Sequence, residues 1–506
     1  MMELVFTELI FMKMRLFALL IVVTLLMPVM VQNNSLMISN NVGSDYTLSN
    51  EGLIEGVPYV WQEINGFCSW AAASIMFQSA GVPADMFTLF AASTVGFSFA
   101  SARYNATLIA FPGVYYRQDL NTYIASQVFG LNLTFYLDSN SQGAELNLAA
   151  MQSDGISVSL LDGEQGAMNL MRKTIDRGHP LMISVDPIWL PSSDYDYLRN
   201  VNASGGAHGV VIVGYDDELL QATIMDPGVG SFGDNYGYPD DGRGNYTTIS
   251  YWDLRNAWSA RAFISITIEQ SEVEPAPESY LGPIIRDRLL GVPLSYRATG
   301  QDALIAKYGQ ASFRDLSNFF SESAITDLLS IYDDVENARN FKTLLLLTIG
   351  VGLEGIFTLQ YLSYRTALDS MPSVFPNLDL TDFNDAANQA LPHFDAISSN
   401  KSLIYPATNF SVYTGLIART FIEMATQYNS TGDLNQVLLD KSGELSSIAN
   451  HLTAIADSWQ AAGNSLAVYW PNDFLSTYGS ILIPASVGIA AIIITIIYWI
   501  KRSPSQ

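Results

Sequence analysis

The stretch Gln62-Glu-Ile-Asn-Gly-Phe-Cys68-Ser-Trp-Ala-Ala-Ala73 holds the only cysteine of a 506-residue chain and places it where a helix begins. Upstream, Asn65-Gly66 supplies turn chemistry. Downstream, Ala71, Ala72, Ala73, Ile75 and Met76 form an apolar helical run that stops at Gly81, ahead of Pro83. A thiol in the first turn of a helix faces unpaired N–H groups and the positive end of the dipole, which favours the thiolate that nucleophilic attack requires. Cys68 is therefore the candidate nucleophile. Six residues earlier, Gln62 carries an amide able to point an N–H at the oxygen of a tetrahedral intermediate, beside the backbone N–H of Cys68.

A cysteine nucleophile needs a base, and the base needs an orienting group. Far downstream, Gly205-Gly-Ala-His208-Gly209 leads into Val210-Val-Ile-Val-Gly-Tyr215. Asp216-Asp217-Glu218 then turns the chain into Gln221-Ala-Thr-Ile-Met-Asp226-Pro227. Two β-rich runs around a short acidic turn predict a hairpin. Centred near residue 217, it sets His208 opposite Asp226 to within about one residue, where a carboxylate can hold an imidazole. Taken singly, each residue has a plainer reading: an inert buried thiol, a strand-end histidine, an Asp-Pro turn opener. Their order and settings together point to a site.

Gln62, Cys68, His208 and Asp226, in that order and spacing, resemble the papain-like cysteine peptidase superfamily, and within it the C39-like peptidase branch. The matching features are a Gln shortly before a helix-opening Cys, a His that begins a strand and an Asp-Pro after the next strand. Arg177-Gly-His-Pro-Leu-Met-Ile-Ser-Val-Asp186-Pro-Ile-Trp-Leu-Pro191, followed by the His208 strand, is also similar to the N-terminal domain of the butirosin-biosynthesis H type of acyltransferase, in which a helical domain often follows. The likeness covers roughly residues 50 to 270. Ser69 departs from it, standing where many relatives carry Gly. The resemblance implies a thiol enzyme acting on a peptide or amide. Asp186 itself reads as a turn residue.

Composition sets the frame. With 49% hydrophobic and 14% charged residues the chain is long enough for two cores, and a formal charge of −25 argues against a nucleic-acid partner. No HExxH, CxxC or P-loop pattern occurs, so neither a metal nor a nucleotide cofactor is implied. Asp234, Asp240 and Asp241, in the Gly-rich stretch 228–244, fit no calcium loop. Lys13 and Arg15 precede a run of apolar residues from Leu16 to Met27, which reads as a signal peptide or N-terminal anchor over residues 1–32. Residues 476–500 carry no charge, are nearly all apolar from Ile481 to Ile500, and are followed by Lys501 and Arg502. They predict a transmembrane helix with a cytoplasmic tail over 501–506, hence a type I cell-membrane protein with its catalytic domain outside. Eight sequons, from Asn33 to Asn429, lie between the two apolar segments.

The expected organisation is a tether over 33–52, an α+β papain-like domain over 53–270 and an acidic, Pro-containing linker over 271–280, followed by an all-α domain over 281–470. In the first domain an N-terminal helix packs on a mostly antiparallel sheet. Helices are expected over 85–102, 120–129 and 166–177, with strands over 131–137, 181–185, 210–215, 222–225 and 262–268. In the second, helices are expected over 304–308, 324–332, 344–362, 383–391, 415–424 and 434–459. Glu354, near the centre of 344–362, marks that segment as a buried helix rather than a span. His393 and His451 have no spacing partner, and no protein partner of the helical domain can be read. Three functions stay open: hydrolysis of a peptide or amide, acyl or peptidyl transfer from the same acyl-enzyme, and a cell-surface binding module that keeps the triad for structure.

Overall fold

The computed structural model describes residues 49–470, except 64–65, 105–106, 113–120, 142–143, 145–147, 149–150, 153–155, 203, 205, 231–241, 272–276, 293–294, 298–303, 336 and 399–414. The expected N-terminal signal or anchor, the expected C-terminal span and the Asp234–Asp241 stretch lie outside these residues.

The described chain opens with β1 (Glu51–Leu53), α1 (Cys68–Ser79), α2 (Met86–Ala92), β2 (Phe99–Tyr104) and β3 (Thr107–Pro112). It continues through α3 (Asn121–Val128), β4 (Leu131–Asp138), β5 (Ser157–Leu161), α4 (Gly163–Asp176) and β6 (Leu181–Val185). After α5 (Asp196–Val201) come β7 (His208–Asp216), β8 (Gln221–Met225), β9 (Thr247–Ser250), α6 (Tyr251–Ser259) and β10 (Ser265–Gln270). Next are α7 (Pro277–Leu290), β11 (Ser295–Arg297), β12 (Leu304–Tyr308), α8 (Gln310–Phe319), α9 (Glu322–Ser330) and α10 (Ala338–Val374). The described chain ends with α11 (Thr381–Asn388), α12 (Leu391–Ile397), α13 (Leu416–Thr431), α14 (Leu434–Asp440) and α15 (Ser442–Leu466).

Two compact units result. The first takes the chain up to Leu89 together with Asp119–Ala276, and the second takes Phe90–Gln118 and most of the chain from Pro277 onward. In the first unit an eight-stranded sheet runs β5-β4-β10-β6-β7-β8-β9, with β1 also paired to β7. All neighbours are antiparallel except β4 and β5. The sequence His208-Gly-Val-Val-Ile-Val-Gly-Tyr is apolar without alternation because β7 is buried along that whole length, sheathed on two faces. On one face Val210 and Ile212 join Leu181, Ile183 and Val185 of β6 and the apolar sides of α4 and α6 in a single core. On the other lies α1, whose Ala71, Ala72 and Ala73 are small enough for close approach. A Cβ at Gly209 would stand 3.2 Å from Ser69 Cα, so β7 needs a glycine there for the start of α1 to reach it.

The second unit corrects the expected all-α domain, for it contains a four-stranded antiparallel sheet, β11-β12-β2-β3. Residues 304–308 form strand β12 rather than a helix, and the helix expected over 85–102 ends at Ala92. Thr94, at φ +60°, turns the chain out of it, and Gly96 then packs closely: a Cβ there would fall 2.4 Å from the Ser363 carbonyl oxygen, and Gln360 Nε2 donates to the Gly96 carbonyl at 2.8 Å. Phe99, on β2, stacks on Phe313 with ring centroids 4.4 Å apart, and Phe313 meets Trp459 edge-on at 4.9 Å. The segment 90–118 therefore supplies part of the second core, and the domain expected to run unbroken over 53–270 is interrupted by it.

Among the described residues α10 alone is long and apolar enough to cross a membrane, and 56% of its apolar window is buried inside the protein. Glu354, at its middle, is fully buried and accepts hydrogen bonds from the backbone N–H groups of Gly415 at 3.1 Å and Ala418 at 2.7 Å. It caps the N-terminus of α13 from another helix, a favourable place for negative charge. His393 and His451, which have no partner in sequence spacing, are paired in space through their Nδ1 atoms at 3.0 Å.

Candidate active site

Cys68 is the first residue of α1 and is buried. Gly66, at φ +90°, makes the turn into the helix. His208, the backbone N–H of Gly209 and the Ser69 hydroxyl are the polar groups that act on the sulfur. Burial on its own would push the thiol up. The charge and hydrogen bond of His208, with the Gly209 and Ser69 donors, reverse this and hold it below the ordinary cysteine value. Ser69 is thus one of the groups that stabilise the thiolate.

His208 opens β7, and its Nε2 stands 2.8 Å from Asp226 Oδ1. A carboxylate only accepts, so Nε2 carries the proton and Nδ1 is the nitrogen left for the sulfur. Burial alone would lower the imidazolium. The Cys68 thiolate and Asp226 carboxylate outweigh it and raise His208 to about 10. A raised imidazolium beside a lowered thiol is the signature of an ion pair.

The register differs from that expected. Val211 pairs with Met225, and the β7–β8 ladder slips between Ile212 and Gly214. Carried three residues past the last pair, the same register faces His208 with Gly228 instead of Asp226. Contact survives because Asp226 ends the strand and reaches the ring diagonally. Gly228 makes room: a Cβ there would lie 2.6 Å from His208 Cε1. Its N–H also donates to Asp226 Oδ1 at 2.9 Å.

The segment before α1 is laced to this loop. Tyr59 Oη donates to the Asp226 carbonyl at 3.0 Å, Trp61 Nε1 to the Val229 carbonyl at 2.9 Å, and the Gln62 N–H to the Pro227 carbonyl at 2.9 Å. Gln62 is completely buried, with its backbone fixed one residue from Asp226. The structure thus brings Cys68, His208 and Asp226 together, with His208 hydrogen-bonded to Asp226 and acting on the sulfur, and anchors Gln62 to the loop that carries the carboxylate.

Sequence reasoning missed Tyr195. This residue ends a 3-10 turn, Ser193–Tyr195, and its buried hydroxyl donates to both Asp226 oxygens, each at 3.0 Å, while lying 3.3 Å from His208 Nε2. Nothing in the Ser-Asp-Tyr spacing announces it; the contact exists only once β7, β8 and the turn are folded together. Asp186 is confirmed as a turn residue: it caps a 3-10 turn by accepting from the Ile188 N–H and lies 3.7 Å from Arg261. Arg261 in turn donates to Ser204 Oγ at 2.9 Å and to the Gly206 carbonyl, steadying the approach to His208.

Among the described residues no three His, Cys, Asp or Glu side chains converge on a point where a metal ion would sit. The arrangement offers a nucleophile, a base that is already protonated and an orienting carboxylate, which is equipment for acyl transfer from a carbonyl. No family model and no curated protein matches the chain.

Proposed function

We propose that the first unit is a thiol hydrolase of papain-like, C39-like type that cleaves a peptide or related amide through an acyl-thioester. The observation that carries the reading is the Cys68–His208–Asp226 row, with a lowered thiol, an imidazole raised to about 10 and a 2.8 Å bond to the carboxylate. The thiolate attacks the carbonyl carbon. His208 then gives its proton to the leaving nitrogen while Asp226 keeps the ring in place. Gln62 and the backbone N–H of Cys68 stabilise the oxyanion. Water, activated by the now neutral His208, releases the acyl group. The apolar runs Leu16–Met27 and Ile481–Ile500 and the sequons between them favour an enzyme held outside the cell membrane by its C-terminal helix.

Because the chain has one cysteine, alkylation reports on this site alone. Iodoacetamide is expected to label the full-length protein at neutral pH far faster than it labels a free thiol, and His208→Ala abolishes the excess. Labelling no faster than a free thiol would leave a binding module as the surviving reading. Peptide and amide libraries, run beside Cys68→Ala, identify the substrate. Faster release of acyl product on adding an amine acceptor would assign transfer rather than hydrolysis.

A further inference from the structure

The proposed triad contains a fourth member. We infer that Tyr195 is a positioning residue that locks the Asp226 carboxylate, and through it the His208 ring, in the orientation that keeps Nδ1 on the sulfur. This inference rests on the thiol-enzyme reading and adds to it a group that spacing and motif do not reveal.

Three observations carry it. The first is directional. The Tyr195 hydroxyl donates to both Asp226 oxygens at 3.0 Å and sits 3.3 Å from His208 Nε2, so it closes a triangle with base and carboxylate. With the Gly228 N–H at 2.9 Å and His208 Nε2 at 2.8 Å, Asp226 receives donors from three directions and has no freedom to rotate. The hydroxyl oxygen also lies where it can share the Nε2 proton, which opposes rotation of the ring away from the sulfur.

The second observation is that the turn bearing Tyr195 is itself braced. Arg199 donates through Nη1 to the Leu190 carbonyl at 2.7 Å, through Nη2 to the Ser192 carbonyl at 2.6 Å, and through Nε to Asp196 at 2.9 Å. Asp194 accepts from the Gly230 N–H and from Arg243, which ties the turn to the loop that carries Asp226. The third is burial. Tyr195 has no solvent exposure and belongs to the main core of the unit, so its hydroxyl finds its partners inside the protein. A phenylalanine would fill that space equally well. The hydroxyl is therefore present for what it bonds, and what it bonds is the orienting carboxylate.

The test is the pH dependence of Cys68 alkylation by iodoacetamide in the full chain. The ion pair exists between an acid limb, where the thiolate forms, and an alkaline limb, where the imidazolium is lost. In Tyr195→Phe a less well-oriented carboxylate stabilises the pair less, so both limbs move inward, each by about half a pH unit. With a substrate in hand, kcat falls about tenfold and KM is unchanged. In an Asp226→Asn background the same replacement changes the profile by less than about twofold, because its route to the sulfur is already cut. A purely structural tyrosine would lower Tm and leave both limbs in place, and that result overturns the inference. Should Tyr195→Phe not fold, Arg199→Ala, which loosens the turn, is expected to narrow the same window; unmoved limbs in that variant overturn the inference too. If the wild-type profile is one rise through an ordinary thiol pKa, the thiol-enzyme reading itself fails and takes the role of Tyr195 with it.

Discussion

Two histidines, one in each unit, are taken partly or wholly out of water, and their surroundings drive them in opposite directions. His208 is held between a thiolate and a carboxylate and rises to about 10. His451 faces another imidazole, His393, at 3.0 Å, and burial with that neighbour pushes it below the ordinary histidine value. Burial opposes the charged form at both places, so it is the partner that decides the sign. The carboxylates repeat the contrast. Asp226 is shared between backbone, tyrosine and a titrating base, whereas Glu354 is spent on backbone N–H groups at a helix terminus. In this molecule the buried ionisable group that points to chemistry is the one whose neighbours titrate and carry the opposite charge.

The comparison can be tested from its largest consequence to its smallest. Glu354→Ala leaves the Gly415 and Ala418 N–H groups without their side-chain acceptor, and is expected to destabilise the second unit by about 3 kcal/mol in urea unfolding. It should leave Cys68 alkylation unchanged. His208→Ala works the other way: the alkylation rate at pH 7 falls by roughly 30-fold as the thiolate fraction drops to a few per cent. Equal labelling of the variant and the wild type would erase the distinction between the two histidines. Gly228→Ala, which drives a methyl to 2.6 Å from His208 Cε1, should slow alkylation by about tenfold and cost roughly 1–3 kcal/mol through overpacking. Its φ is not in the left-handed region, so the effect is steric.

The smallest effect belongs to His451. Its folded pKa lies below the unfolded one, so the unfolded chain binds more protons as the pH falls toward and past the ordinary histidine value. Stability present above that pH is lost below it. His451→Gln should therefore shrink the drop in Tm between pH 7.5 and 5.5, as read by differential scanning calorimetry. His208, with its raised pKa, contributes in the opposite sense: its stabilisation is fully present below the unfolded pKa and fades as the pH climbs through about 10.

Much of the first unit was legible because its signals are local. The Cys68 helix start, the unbroken apolar run of β7 and the Asp-Pro after β8 are written in adjacent residues, and 131–138, 163–176 and 181–185 fold close to the expected ranges. What local pattern could not show was the slip near Gly214, set by how β7 and β8 meet, and Tyr195, whose partners lie 13 and 31 residues away. The second unit was harder. Phe97, Phe99 and Ala100 continue the apolar run of α2, so period alone extends the helix. The break comes at Thr94, a non-glycine residue in the left-handed region that its side chain does not announce. Leu304–Tyr308 is five residues long, too short for its period to separate strand from helix.

The order of the second sheet bears on how the protein is made. Strands β2 and β3 leave the ribosome before most of the first unit's sheet exists, yet β2 finds its other neighbour only when β12 arrives, after a wait on the order of ten seconds. Through that interval a hairpin rich in Phe and Ala carries an open edge, a template for stray pairing with other nascent chains. For the same reason no single cut just ahead of α7, which takes in the end of the linker expected over 271–280, yields two intact halves: a fragment starting at residue 277 would lack Phe99 and two of the four strands of its sheet, β2 and β3.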